Sequence, residues 1–132
     1  MATNRVPIFV NTVNTHVVSI ATADTSLTAP AAAGTIYTNS SGLAALVSRI
    51  RGKAMGSTTA SMVRIFLHDG TTYYLWREYL TDTLVASGTV KSFEFDEEVQ
   101  LYLPDEWSLR ATTHGGDDFM IYADVGEYTY AE

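Results

Sequence analysis

The sequence has no cysteine, which excludes disulfide bonds and thiolate metal sites. A chain of 132 residues needs no such support, because a domain of that size buries roughly two-thirds of the surface that its unfolded chain exposes. We therefore expect one domain stabilised by an apolar core. The absence of cysteine also fits assembly in a reducing cytoplasm.

Basic residues are scarce, with 8 lysines and arginines against 15 aspartates and glutamates and a formal net charge of −7. Since proteins bind the phosphate backbone of nucleic acids through lysine and arginine, this balance argues against a nucleic-acid partner. Arg49, Arg51 and Lys53 nevertheless alternate within one short run. They form either a solvated strand face or a basic stripe that contacts an acidic protein surface.

Long apolar runs are missing too. No segment approaches the roughly 20 apolar residues that a membrane span needs. The N-terminal segment, MATNRVPIFVNTVN, lacks the apolar core of a secretion signal. We therefore expect neither export nor a membrane partner.

Familiar catalytic and metal-binding patterns do not occur in the sequence. His16, His68 and His114 are far apart and belong to no short metal-binding motif, and there is no G-x-S-x-G nucleophile elbow. Asp117 and Asp118 follow two glycines, where turn chemistry explains them better than calcium binding does. The sequence thus predicts no enzymatic activity, no bound metal and no cofactor.

What the sequence does contain is a strong β-hairpin signal over residues 61–79, SMVRIFLHDGTTYYLWREY. Side chains alternate between two faces on both sides of Asp69-Gly70, and an Asp-Gly pair between two such runs is typical of a tight turn. Two registers are open. They are a three-residue loop, which places Val63 and Ile65 with Tyr73 and Leu75, and a two-residue loop, which places them with Tyr74 and Trp76.

Both faces of this hairpin carry large apolar side chains, and such a strand pair needs two coverings. One covering is the core of the domain, and the other is a loop, the N-terminal segment or a neighbouring subunit. We therefore predict a homo-oligomer whose interface is the hairpin face outside the core. Its candidate residues are Met62, Phe66, Tyr74 and Trp76.

Short alternating runs separated by turn residues continue through the chain and give about eight strands. Residues 43–55 fit a helix or a strand by spacing, but three glycines and strand-like neighbours favour the strand. Residues 96–98 interrupt an apolar row and mark a bend or bulge. The pattern predicts an all-β, antiparallel, jelly-roll-like sandwich. Its predicted core is Val63, Ile65, Leu67, Phe93, Phe95, Leu101, Leu109, Ile121 and Ala123.

The last two strands share a parity, with apolar residues at odd positions before and after residues 115–117. A hairpin with a three-residue loop there places Ala111 opposite Ile121 and Leu109 opposite Ala123. This register would bury both rows on one side of the same sheet.

Residues 1–14 show no clear period, and we predict an extended arm ahead of a single sandwich domain of residues 15–132. The arm holds Arg5, Pro7, Phe9 and Val10, too few residues for a core of its own. An extended segment can lie along a partner and gain affinity from backbone hydrogen bonds. These four residues are therefore candidates for binding a partner.

Three stretches of the sequence carry a recognisable pattern of turn and core residues. They are IYTNSSG at residues 36–42, VSRIRGKAMGSTTASMVRIFLHDGT at residues 47–71, and LPDEWSLRATTHGGDDFMIYADVGEY at residues 103–128. Together they resemble a family of small virion proteins from tailed bacteriophages. This chain departs from the family pattern at residues 105–107, where Asp-Glu-Trp replaces a small-residue turn and tyrosine, and at residues 125–128, where the family closes with glycine-glycine-aspartate-tyrosine.

The resemblance implies a capsid decoration (cement) protein, a β-sandwich made in the host cytoplasm that stabilises a phage head from its outer surface. It implies a trimer, a major capsid protein as partner, and no catalytic residues. A phage tail or head-fibre component is the alternative within the same group of proteins. A carbohydrate-binding jelly-roll module is the alternative outside it, with a sugar-binding face made of aromatic residues. Those residues would be Tyr73, Tyr74, Trp76, Tyr102 and Trp107.

Overall fold

The computed structural model describes residues 8–130, and strands make up the regular structure of that range. The prediction of an all-β chain with about eight strands is confirmed. No helix in the described range is long and apolar enough to cross a membrane. The strands are β1 (Ile8–Ile20), β2 (Gly34–Thr38), β3 (Ala45–Ala54), β4 (Ser61–His68), β5 (Tyr73–Thr81), β6 (Glu94–Leu103), β7 (Ser108–Thr113) and β8 (Phe119–Tyr130).

The strands form two four-stranded antiparallel sheets that pack face to face. Sheet A has the order β1-β8-β3-β6, and sheet B has the order β2-β7-β4-β5. Every connection except the β4–β5 hairpin therefore crosses from one sheet to the other. The apolar rows of both sheets face inward and share one core, which confirms the predicted sandwich.

The predicted hairpin between β7 and β8 is wrong, because these strands lie in different sheets. Ala111 of β7 pairs with Ile65 of β4, and Ile121 of β8 pairs with Gly52 of β3. Both strands do bury their odd-numbered residues. Matched parity reveals which side of each strand is buried, and it cannot distinguish neighbours in one sheet from strands that face each other across the core.

Most of the predicted core is confirmed. Val63, Ile65, Leu109, Ile121 and Ala123 are fully buried, and the other four predicted residues pack partly buried against them. Larger groups that had not been singled out complete the core from both sheets. They include Ile20, Ile36, Val47, Ile50, Leu103, Phe119 and Val125.

The β4–β5 hairpin is present, but both predicted registers are wrong. Leu67 pairs with Tyr74 and His68 with Tyr73, which leaves a four-residue turn at residues 69–72. The pairing then shifts by one residue between β4 and β5 near Trp76. This bulge moves the later pairs further from either expected register, since a shift of one residue exchanges the faces of a strand.

Asp69 accounts for the length of the turn. Its Oδ1 accepts hydrogen bonds from the backbone N–H of Thr71 at 2.9 Å and of Thr72 at 2.7 Å, and Gly70 supplies the left-handed conformation with φ of 102°. The bonds from Thr72 and then Thr71 lower the pKa of the Asp69 carboxyl. A side chain that reaches two residues onward stabilises a wider turn than an Asp-Gly pair alone predicts.

Residues 45–54 form a strand, as favoured from the sequence, and Gly52 near its C-terminal end makes a close contact with the neighbouring strand. A Cβ atom at this position would lie 2.1 Å from Cε2 of Phe95, whose ring covers the glycine from β6. The neighbouring strand β6 is continuous through residues 96–98, and its pairing with β3 shifts just beyond them, opposite residues 47–49. The predicted irregularity is therefore displaced toward the end of β6.

Strand β1 crosses the predicted boundary between arm and domain at residue 14. It pairs with β8 along its length, with an irregularity between residues 10 and 12. Phe9 and Val10 therefore lie in sheet A. Arg5 and Pro7 fall outside the described residues.

Asn39 joins two of the stretches that carry the family resemblance. It is fully buried, and its Nδ2 donates to the carbonyl oxygens of Leu43 at 2.8 Å and Leu103 at 2.9 Å. Its backbone N–H donates to the carbonyl of Trp107, and its own carbonyl accepts from the N–H of Glu106, which has a left-handed φ of 68°. The resembling residues at this end of the sandwich thus hold loops together, which is a role in the fold.

Candidate functional site

The three residues of the predicted basic stripe lie on the outer face of sheet A, in the interior strand β3. Each makes a salt bridge to a carboxylate on a neighbouring strand, with N–O distances of 2.7 to 3.4 Å. Three cations thus meet four carboxylates, and this face carries no net positive charge for an acidic partner. The pairs are Arg49 with Asp96 and Glu98, Arg51 with Asp124, and Lys53 with Glu94.

A depression of about 470 Å³ lies among these ion pairs. The guanidinium of Arg51 sits 5.7 Å from the centre of the Tyr122 ring along its wall. Its lining offers paired charges and no nucleophile beside a base, so it has the character of an ion-paired surface. The lining residues are Arg51, Gly52, Lys53, Glu94, Phe95, Asp96 and Tyr122.

The four residues of the predicted oligomer interface do not form one surface. Phe66 is fully buried within the chain, with its ring edge-on to Tyr73, and Trp76 packs against the core. Tyr74 is 43% exposed and stacks on Trp107, whereas Met62 borders a separate depression on the outer face of sheet B. On this hairpin the chain itself therefore covers Phe66 and most of Trp76, whereas Leu75 and Leu80 of β5 remain 36% and 75% exposed.

That depression, of about 430 Å³, contains a nearly buried arginine. Arg64 is 8% exposed, and its Nε donates to Glu78 at 3.1 Å while its Nη1 lies 2.9 Å from Nδ1 of His114. Because a guanidinium can only donate, Nδ1 of His114 is the acceptor in this contact. Met62 and the highly exposed Leu80 make the opposite wall apolar.

The remaining histidines take part in packing. The rings of His16 and Tyr37 lie 4.6 Å apart, and those of His68 and Tyr73 lie 4.3 Å apart. Within the described residues no three histidine, aspartate or glutamate side chains come together in a group that could hold a metal ion.

Two polar contacts between the sheets have no counterpart among the predicted site residues. The Tyr37 hydroxyl donates to Oε2 of Glu127 at 2.9 Å, and the Tyr79 hydroxyl donates to Oε1 of Glu97 at 2.9 Å. We refer to these as the two tyrosine–glutamate clasps. The first joins β2 to β8, and the second joins β5 to β6.

Burial raises the pKa of Tyr37 and of Tyr79 well above the ordinary tyrosine value, and the hydrogen bond to the facing glutamate raises it further. The clasps therefore hold two neutral tyrosines against two carboxylates at the borders of the core. One signal for them was present in the sequence. Glu97 stands at an odd position in an otherwise apolar row, and the structure places it opposite Ile50 on the core side of the sheet.

Comparisons with known proteins support the fold. No protein-family model matches the chain, and no curated protein matches it in sequence. A chain of the acidic stable capsid structure of Helicobacter pylori bacteriophage KHP30 matches with a TM-score of 0.61 and 10% identity, covering 96% of this chain and 98% of that one. The structure of Eiger TNF from S. frugiperda matches with a TM-score of 0.50 and 11% identity, covering 89% and 88%.

A pentameric capsid protein isolated from metagenomic phage sequences matches over 86% of this chain, at 15% identity. The match spans 61% of the capsid protein, and its TM-score of 0.43 is too low to bear on the argument. At these identities the comparisons establish a shared sandwich fold.

Proposed function

We propose that this chain is a structural protein of a tailed-phage virion, a decoration subunit that binds the outer surface of the head as an oligomer. The observation that carries the proposal is the KHP30 match. It covers nearly all of both chains, so the shared fold extends over almost the whole of each. The sequence resemblance to small phage virion proteins points the same way, and it is the basis for proposing a trimer.

The surfaces of the molecule support a non-catalytic role. The first depression is lined mainly by ion-paired side chains, the second combines the Arg64–Glu78 pair with polar and apolar groups, and the residues that carry the family resemblance hold loops and core together. A protein that stabilises a shell needs a rigid subunit and a contact surface, and it needs no reacting groups. We therefore propose that the chain is not an enzyme.

Attachment to the major capsid protein is proposed to use the residues ahead of β1. Phe9 and Val10 of the predicted arm pair within sheet A, and the proposal therefore rests on residues 1–7 of the arm, which contain Arg5 and Pro7. The alternative contact, the Arg49, Arg51 and Lys53 stripe, is neutralised within the chain.

The test is decoration of capsids. The chain is expressed with the major capsid protein encoded in the same genome, and assembled particles are sedimented. We expect the full chain to sediment with the particles and a chain lacking residues 1–7 to stay in the supernatant while it keeps its fold by circular dichroism. An Arg49→Gln variant is the matched control and should sediment like the full chain.

Two results would contradict the proposal. If the full chain fails to sediment with head particles but is found on tails or fibres by immunogold labelling, the tail or head-fibre alternative is favoured. If it binds neither and instead gives reproducible signals on a glycan array that aromatic substitutions abolish, it is a carbohydrate-binding module.

A further inference from the structure

The four edge strands of the sandwich differ in how they prevent pairing with another chain. Unpaired edges are templates for new strands, and proteins block them with short strands, bulges and charges. Strand β2 has five residues and an irregular register. Strand β5 has a bulge followed by Arg77 and Glu78. Strand β6 has four acidic residues within residues 94–98.

Strand β1 has no such protection over residues 12–20. These nine residues keep one register with β8 and contain no lysine, arginine, aspartate, glutamate, proline or glycine. Among the described strands β1 pairs only with β8, so its other side is a free edge of sheet A. It is a long, regular and uncharged edge.

The same strand exposes apolar side chains on its outer face. Val13 is 67% exposed and Val17 is 47% exposed, with Thr15 exposed between them. Large apolar groups at such exposure, next to a free backbone edge, are what a strand partner would cover.

We propose that two copies of this chain join through their β1 strands, antiparallel and centred on Thr15, so that sheet A continues from one copy into the other. In this register Val13 of one copy lies opposite Val17 of the second copy, and the two Thr15 residues face each other. Apolar pairs and Thr–Thr pairs that face each other across two antiparallel strands stabilise the strand pair.

The composition of β1 favours a second copy as the occupant. An antiparallel strand paired with its own copy must match itself about one central residue, and Thr15 is the centre that pairs the two exposed valines with each other. On the inner side the same register pairs Asn14 with His16, so polar groups also meet polar groups. With no charged residue in the nine, neither like-charge repulsion nor an unmatched ion opposes the contact.

This inference does not depend on the proposed virion role, because it follows from the free edge and the self-complementary register. Such a pairing is isologous and closes after two copies. It can therefore coexist with a trimer formed through another surface.

Single cysteines test the register directly, because the native chain has none. Directly opposed residues in antiparallel strands lie about 4.5 to 5.5 Å apart at Cα, which is within the range of a disulfide. Under mild oxidation Thr15→Cys should form a covalent dimer, whereas Val13→Cys and Val17→Cys should each form no covalent dimer alone and should cross-link when mixed. Ser19→Cys, which is exposed on the same face, is the matched control and should not cross-link to itself.

Charge reversal at the centre is the second test. Light scattering at tens of micromolar should show dimers or their multiples for the native chain. Thr15→Lys and Thr15→Glu should each weaken association at least tenfold, and an equimolar mixture of the two should restore it. Thr15→Val, which removes the 2.8 Å hydrogen bond to Asp124 without adding charge, should associate like the native chain.

A native chain that is monomeric at 200 μM would overturn the proposal. So would equal cross-linking of the Ser19→Cys and Thr15→Cys variants, because that would show contact without the proposed register. All variants are at exposed positions of an edge strand, and circular dichroism confirms that they fold before association is measured.

Discussion

At each of its two sides the sandwich places the edge strand of one sheet over the edge strand of the other. These two sides are built in different ways. On one side β5 faces β6, and three contacts connect the sheets. They are the clasp of Tyr79 with Glu97, the ion pair of Arg77 with Glu97 at 3.1 Å, and the stack of the Tyr79 ring on the Phe95 ring, whose centres lie 4.2 Å apart. On the other side β1 faces β2, with an uncharged free edge and exposed valines.

The difference shows how one fold separates stability from assembly. Charges and bulges on the β5–β6 side leave no edge for another strand, and its contacts are made within the chain. On the β1–β2 side, β1 pairs with β8, and no other described strand pairs with its outer edge. Substitutions in the contacts between the sheets should change the free energy of unfolding, whereas substitutions of the exposed side chains of β1 should change association.

The largest expected effect is at Phe95. Its ring packs on Gly52, on Tyr79 and near Phe119, so Phe95→Ala should lower the free energy of unfolding by about 3 kcal/mol, the lower end for such truncations because the ring is partly exposed. Val17→Ala on the opposite side should change it by less than about 0.5 kcal/mol. Urea denaturation of the two variants makes the comparison, and equal losses would remove the distinction between the two sides.

Gly52→Ala should cost about 1 to 3 kcal/mol, because the added Cβ would lie 2.1 Å from the Phe95 ring and the ring must shift. The cost should depend on that ring. The double variant Gly52→Ala, Phe95→Ala should therefore lose less stability than the sum of the losses of the two single variants. Strict additivity in a double-mutant cycle would show that the glycine is needed for another reason.

The tyrosine–glutamate clasps predict a loss of stability in alkali. In the unfolded chain tyrosine ionises near pH 10, whereas the folded pKa of Tyr37 and Tyr79 is raised. Their contribution is therefore complete below about pH 10 and decreases as the pH rises above it. Replacing both by phenylalanine should cost about 1 kcal/mol per hydroxyl at pH 7 and should flatten the decline above pH 10.

Denaturation curves between pH 7 and pH 11 measure both effects. A double phenylalanine variant whose stability falls as steeply above pH 10 as that of the native chain would show that other groups cause the alkaline loss. The single variants separate the two sides, since Tyr37 lies at β2 and Tyr79 at β5.

The smallest effect belongs to the ion pairs on the outer face of sheet A. Arg49 bridges Asp96 at 2.9 Å and Glu98 at 2.7 Å, but the side chains are 34%, 49% and 81% exposed. A double-mutant cycle of Arg49→Gln and Glu98→Gln should give a coupling of about 0.2 to 1 kcal/mol, and 1 M salt should reduce it. A larger coupling that persists in salt would mean that this face contributes to stability as the β5–β6 side does.

The sequence was sufficient for the fold class and for most of the core. Alternation in β4, β7 and β8 correctly selected Val63, Leu109 and Ile121 as buried, because the period of two records the buried side of a strand directly. The same signal failed for strand neighbours. It predicted a β7–β8 hairpin, since parity is the same whether two buried rows are adjacent or face each other across the core.

The candidate site was less predictable, because it depends on partners that are distant in sequence. The alternation of Arg49, Arg51 and Lys53 predicted a shared face, but the carboxylates that neutralise it come from β6 and β8, up to 73 positions away in the case of Arg51 and Asp124. Phe66 was predicted at an interface because its covering by Tyr73 depends on a four-residue turn that the sequence did not specify.

The most direct measurement of the central claim is a cryo-EM reconstruction of particles assembled from this chain and the major capsid protein encoded in the same genome. The account predicts sandwich density on the outer surface of the head, with the β1 edges of neighbouring copies side by side and the β5–β6 sides apart. Heads without such density, or copies that meet through β5 or β6 instead, would contradict it.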